Sequence, residues 1–113
     1  MHELSLCEQV LELIQQQAGS QQFKQVKTVC LEIGKLSCVE AEAMRFCFDS
    51  VVAGSIADGA LLAIDQPEAI AWCSACEQLT KVEQRFELCP HCGHFPLEIR
   101  DGEQMRIKYL EVL

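Results

Sequence analysis

Two stretches of this chain repeat their apolar residues at the helical period, and three others alternate. In residues 4 to 17, Leu4, Leu6, Cys7, Val10, Leu11, Leu13 and Ile14 cover about half of a helical wheel. Ser5, Glu8, Gln9, Glu12, Gln15 and Gln16 fill the other half, and Gly19 is a natural stop. Residues 24 to 34 predict a strand ended by Gly34, with Val29, Leu31 and Ile33 on one face and Thr28, Cys30 and Glu32 on the other. A second helix is expected from Ser37, with Glu40 three residues on completing a capping box. Its apolar face is Val39, Ala43, Met44, Cys47, Phe48 and Val51, and Glu42, Arg45 and Asp49 form a solvated stripe. Gly54 and Gly59 bracket a turn, and residues 60 to 66 predict another strand.

The pattern breaks at Pro67 and resumes after Pro96. Following an Asp101-Gly102 turn, Met105, Ile107 and Tyr109 alternate with Arg106 and Lys108. A lone strand is not stable, so this one is expected to pair back onto the first two. The predicted fold class is α+β: a small mixed three-stranded sheet with two helices, plus an inserted zinc-ribbon-like module with two C-x-x-C knuckles. Residues 1–68 and 97–113 then form a discontinuous α/β domain, and residues 69–96 form a zinc-binding domain.

The insertion carries the strongest chemical signal. Cys73 and Cys76 form one C-x-x-C pair, Cys89 and Cys92 a second, with 12 residues between the pairs. Each pair can place two sulfurs on one metal through a tight turn, and two such turns close a tetrahedron. Pro90 fixes φ early in the second turn, and Gly93 lets the backbone curl so that amides face the sulfurs. A closed four-thiolate site has no open position for substrate, so the metal is structural. The segment between the prolines is too short to bury a core, and the metal should supply much of its folding energy, on the order of 10 kcal/mol. Redox-active C-x-x-C pairs and rubredoxin-like iron are the alternatives; doubled spacing and a reducing context favour zinc. His91 and His94 flank the pairs as alternative ligands, as groups behind the ligands, or as exposed loop residues. The last is the simplest, since four thiolates satisfy zinc. Cys7, Cys30, Cys38 and Cys47 have no ligand spacing and are expected to be buried thiols, and Trp72 a packing residue.

Composition narrows the possible partners. The 113 residues carry a formal net charge of -8, and four thiolates on one zinc add about two more negative units. Such a surface repels phosphate backbones and anionic membranes, so neither nucleic acid nor membrane is an expected partner. No apolar run approaches the roughly 20 residues of a membrane span. The start MHELSLCEQ lacks the basic and cleavage features of a signal peptide, so a cytoplasmic location is expected.

The first residues are the second chemical feature. A bulky residue after Met1 normally leaves the methionine in place with a free amine. That amine, the backbone nitrogen of His2 and the His2 Nδ1 can chelate one metal in rings of five and six members. Displacing an amide proton in a square-planar nitrogen set suits Ni(II) or Cu(II). Three donors leave a fourth position for Glu3 or another group. On chemistry alone, a solvated histidine and a Glu3 that favours a helix N-terminus remain the simpler reading.

With these residues in view, the sequence resembles the HypA/HybF family of nickel metallochaperones, which mature [NiFe]-hydrogenases and in some organisms urease. MHELSLCEQVLELI, LEIGKLSCVE, the CSAC and CPHC pairs, and LEIRDGEQMRIKYLEVL carry the likeness over essentially the whole chain. The resemblance implies that His2 is the key nickel ligand, with the Met1 amine and nearby backbone nitrogens completing the site and Glu3 supporting it or a partner contact. It implies zinc on Cys73, Cys76, Cys89 and Cys92. It implies two partners, the GTPase HypB and the hydrogenase large-subunit precursor, and no enzymatic activity. Some relatives carry histidine directly after each pair and exchange a thiolate for it. Here Glu77 and Gly93 stand there, which argues against a pH-driven ligand switch. The expected function is a nickel metallochaperone that binds Ni(II) at its N-terminus and delivers it for maturation of [NiFe]-hydrogenase. The rivals are a zinc-ribbon protein-interaction or nucleic-acid-binding module, for which a basic patch is missing, and a thiol oxidoreductase.

Overall fold

A computed structural model describes residues 2–113. Its elements, in chain order, are α1 (His2–Gln21), β1 (Val26–Ile33), α2 (Ala41–Val52), β2 (Leu61–Asp65), β3 (Ala69–Cys73), β4 (Gln78–Val82), β5 (Glu98–Asp101) and β6 (Met105–Val112). One three-stranded sheet has the order β2-β1-β6, the other β4-β3-β5. Gly34 N–H donates to the Gln104 carbonyl and Leu113 N–H to that of Gln25, so β6 returns antiparallel along β1. This is the pairing expected for the last strand.

The chain divides into two compact units. The first takes the chain up to Leu31, with Val39–Ile64 and Ile107–Leu113; the second takes Glu32–Cys38 and Asp65–Arg106. The second unit therefore reaches beyond the proline-bounded span 69–96, drawing in the end of β1 and the whole of β5.

In the first unit, α1 and α2 present Cys7, Val10, Ile14, Met44, Phe48 and Val52 to a common core with Val29 and Leu31. The buried stripe of α1 is narrower than its wheel suggests, because Leu4 and Leu13 are exposed. Gly19 does not stop this helix. It runs to Gln21 and ends where Gln22 turns left-handed, φ +61°, its N–H bonded to the Ala18 carbonyl at 2.8 Å. A non-glycine residue supplies the left-handed cap that glycine usually provides.

The start of α2 also departs from expectation. Ser37 is not the cap: its N–H closes a turn onto Gly34, and the helix begins at Ala41 with Glu40 as N-cap and no cap from the Glu40 side chain. The reciprocal half of a capping box, a carboxylate accepting the N-cap N–H, comes from another helix. Glu3 Oε2 accepts the Glu40 N–H at 3.1 Å.

Strand β1 is buried on both faces, with only Lys27 exposed. The Thr28, Cys30 and Glu32 face is therefore covered as well as the aliphatic one. Glu32 is tolerable there because the Arg106 guanidinium donates to its carboxylate at 2.7 Å.

The second unit contains a sheet that the sequence patterns did not reveal. Its central strand β3 pairs antiparallel with β4, from Ala69↔Val82 to Cys73↔Gln78. It also pairs antiparallel with β5, with an irregularity at Ile70/Ala71. The core is thin: Leu36, Ala69, Ala71 and Val82 are buried, with Leu97 and Ile99 packed on them. Small residues let backbones stack closely. Gly102, at φ +104°, lies so near Ala69 that a Cβ would stand 2.6 Å from its Cα, which only glycine permits.

Candidate metal centres

The β3–β4 hairpin makes the first knuckle. Cys73 ends β3 opposite Gln78, so the connection between them carries Cys76 and closes with Glu77 at φ +54°. The second knuckle repeats the device, with Gly93 at φ +76° one residue after Cys92. Gly93 N–H bonds to the Cys89 carbonyl at 2.8 Å, and His91 N–H points at Cys89 Sγ at 3.4 Å. A left-handed residue after the second cysteine thus turns each knuckle, by glycine in one and against a steric cost in the other.

All four sulfurs lie within 4.8 Å of one another. Cys73 and Cys92 approach to 3.6 Å, and Cys76 and Cys89 to 3.8 Å. A tetrahedron with Zn–S bonds of 2.3 Å has edges of about 3.8 Å, so the donor set fits zinc. The thiol chemistry agrees. Burial pushes the Cys89 thiol up, but backbone N–H groups of Cys92 and His91 outweigh it and bring it down to about 6. Cys76 is pushed up to about 12, chiefly by its hydrogen bond with the Cys73 thiol. One thiolate is favoured and Cys76 is opposed; negative charges this close need a divalent cation between them. All eight cysteines are unbridged. Cys73 and Cys89 are buried while Cys92 is exposed, so the cluster sits at the surface with one edge open.

Neither histidine joins the cluster. His94 Nε2 lies 3.4 Å from Ser74 Oγ, linking the two knuckles behind the ligands, and His91 is exposed. Trp72 is half-buried, with the Arg100 guanidinium 5.3 Å above its ring. Of the other cysteines, Cys7 and Cys30 are buried as expected, but Cys38 is exposed and Cys47 only half-buried. Cys7 is raised to about 11 by burial and then by Cys47, as befits an inert core thiol.

At the other candidate centre, His2 opens α1 with a 57% exposed side chain, its Nε2 3.6 Å from Glu3 Oε2. That same oxygen accepts the Glu40 N–H. The Glu40 backbone N–H, followed by Glu3's own, holds the Glu3 carboxyl below its usual value. Glu3 is thus tied down between His2 and the start of α2. Met1, the third expected nickel residue, lies outside the described residues. Glu40 went unnoticed as a partner because 37 positions separate it from Glu3, and no local pattern links them.

The two-helix α/β unit and the four-thiolate ribbon define a small α+β metal-binding protein. The family model "Hydrogenase/urease nickel incorporation, metallochaperone, hypA" matches residues 1–112, and the chain belongs to this HypA family. It is similar to the hydrogenase maturation factors HypA of Azotobacter chroococcum mcd 1, at 45% identity, and Acidithiobacillus ferrooxidans, at 49%. Both alignments run over 112 residues and 99% of each chain. Its fold is similar to the solution structure of the Ni metallochaperone HypA from Helicobacter pylori, with a TM-score of 0.74 at 24% identity over 100% of this chain and 98% of that one. No helix among the described residues is long and apolar enough to cross a membrane.

Proposed function

We propose that this chain is a nickel carrier whose cargo binds at the start of α1, while zinc on Cys73, Cys76, Cys89 and Cys92 is a fixed structural ion. The observation that carries the nickel reading is the placement of His2. Its ring turns Nε2 toward Glu3, which leaves Nδ1 for chelation together with the His2 backbone nitrogen and a free Met1 amine. A carboxylate behind a ligating imidazole fixes its tautomer and raises its basicity. In this reading Glu3 takes that part, closing on Nε2 from 3.6 Å, and its bond to Glu40 anchors it.

Three nitrogen donors in a plane suit Ni(II) and leave one position exchangeable. An open position lets an acceptor protein take the ion by ligand substitution. The donors must lose protons to bind, so affinity should fall in acid. In this reading the chain is not an enzyme. It works in the cytoplasm with the GTPase HypB and delivers Ni(II) to the hydrogenase large-subunit precursor. Nickel belongs to the unit of α1 and α2, zinc to the unit of β3–β5.

The test is a Ni(II) titration of protein starting at Met1, and of protein with one extra residue ahead of Met1. The extra residue moves the amine out of the chelate and should abolish the tight step and its visible absorption. His2→Ala should do the same and keep zinc. Equal affinities and equal spectra in the first two samples would sink the N-terminal site.

A further inference from the structure

Phe86 is the most anomalous side chain outside the two metal centres. Its ring is 84% exposed, and its backbone is left-handed at φ +68°, a conformation that is strained for a bulky residue. The strain is fixed from both sides. Glu87 Oε2 accepts the N–H of Glu83 at 2.6 Å and of Gln84 at 2.5 Å. Arg85 donates to the Leu36 carbonyl at 2.9 Å and to the Glu103 carboxylate. An exposed aromatic ring is therefore held in place where solvation alone would favour a polar residue and the backbone would favour glycine.

Next to the ring lies a cavity of about 200 Å³, with Val82, Phe86, Phe95, Pro96, Leu97 and Ile99 in its lining. It has room for one large apolar side chain. The charge of this unit is negative on balance, nine carboxylates against five cations. The charged side chains that line the cavity itself are Arg85, which is paired, and Glu87. Of the cations, Lys35 is one, and Lys81, Arg85, Arg100 and Arg106 are each in an ion pair, with Glu68, Glu103, Glu98 and Glu32. Glu77 and Glu83 have no such cation among the described residues, and four thiolates around a divalent ion add two negative charges.

We infer that this cavity docks a segment of a partner protein in which an apolar anchor is flanked by lysine or arginine. The anchor fills the space against Phe86 and Phe95. A flanking cation lies over the exposed face of Phe86, and the acidic surroundings steer the approach. The inference does not depend on where nickel binds.

The test uses the zinc-loaded full chain, labelled with ¹⁵N, and two blocked pentapeptides at low salt, Lys-Lys-Leu-Lys-Lys and Glu-Glu-Leu-Glu-Glu. The lysine peptide should shift the amide signals of Phe86, Phe95, Leu97 and Ile99 saturably, and the glutamate peptide should bind at least about tenfold more weakly. Phe86→Gly removes the ring and the backbone strain together, so it should keep fold and zinc while weakening the lysine peptide about tenfold. Equal binding of the two peptides overturns the proposal. So does the absence of saturation at about 5 mM, saturable shifts confined to other residues, or unchanged binding by a folded Phe86→Gly variant. Should that variant lose its fold, the comparison of peptides on the unaltered chain decides.

Discussion

In the unit built on α1 and α2, Ile14, Leu31, Met44 and Phe48 are at most 1% exposed, and Val10, Val29 and Val52 are buried with them. In the unit built on β3–β5 the buried cluster is Leu36, Val82 and two alanines. Among its described residues Ile33 is the one large side chain below 2% exposure, and Cys73 and Cys89 are buried at the metal site. Burying one large aliphatic or aromatic side chain stabilises by about 1.5–3 kcal/mol, so the first unit holds itself by its core. The second has less apolar area, so a metal on its four thiolates is expected to supply much of its stability. Under the proposed function nickel is bound and released at the start of α1, and the fold of neither unit should depend on it. In that reading the two metals are separated by chemistry: the closed set of soft thiolates suits zinc, and the open set of nitrogens proposed at the N-terminus suits nickel.

The largest break in this comparison comes from removing the metal. Cys89→Ser, or a strong chelator, should remove up to about 10 kcal/mol of folding free energy from the β3–β5 unit. Zinc content should fall and the amide dispersion of β3–β5 should collapse. Helical circular dichroism should persist, because both helices lie in the other unit. Simultaneous loss of the helical signal would show that the units are not independent. The converse variant is Phe48→Ala. Phe48 is only 1% exposed, and its truncation should cost about 3–5 kcal/mol. Thermal unfolding followed by helical circular dichroism should move down sharply while bound zinc stays stoichiometric.

The contrast also governs what could be read from the sequence. Helices with a wide apolar face and the strands β1, β2 and β6 were legible because a hydrophobic core imposes a period on the residues that build it. The strands β3, β4 and β5 were not. AIAWC does bury alternate residues, Ala69, Ala71 and Cys73, but its other positions are Ile70 and Trp72, so no polar residue marks the period, and QLTKV buries only Val82. The four cysteines were the most legible feature of that unit: ligand spacing is a local constraint. The Glu3–Glu40 contact was invisible because it is tertiary, and the apparent capping box at Ser37 was misleading because a turn onto Gly34 uses that residue first.

Glu3 provides a subtler probe of the first unit. Its carboxyl is lowered from a reference of 4.5, chiefly by the Glu40 N–H. A depressed folded value means that the ionised form is favoured by folding. The contribution is present above the unfolded value and is lost as pH falls through the folded one. Glu3→Gln should lower the helical melting temperature at pH 7, and the gap to the unmodified protein should close below about pH 4.5. A gap that stays constant down to pH 3 would mean that the charge on Glu3 has no part in capping α2.

The smallest effect should run in the opposite direction. The two knuckles differ at the residue that turns them: Gly93 is left-handed without cost, whereas Glu77 takes φ +54° with a Cβ. Chirality penalises that conformation by about 1 kcal/mol. Glu77→Gly makes the first knuckle like the second, and the relief is partly offset by the extra freedom glycine has in the unfolded chain. The net gain should be about 0.5 kcal/mol, read as slower zinc transfer to a competing chelator and a slightly higher midpoint for loss of β3–β5 dispersion. Phe48-dependent helical melting should not move. Faster zinc loss from Glu77→Gly would mean that the Glu77 side chain stabilises the knuckle by more than its backbone strains it, and the likeness between the two turns would then be one of shape and not of energy.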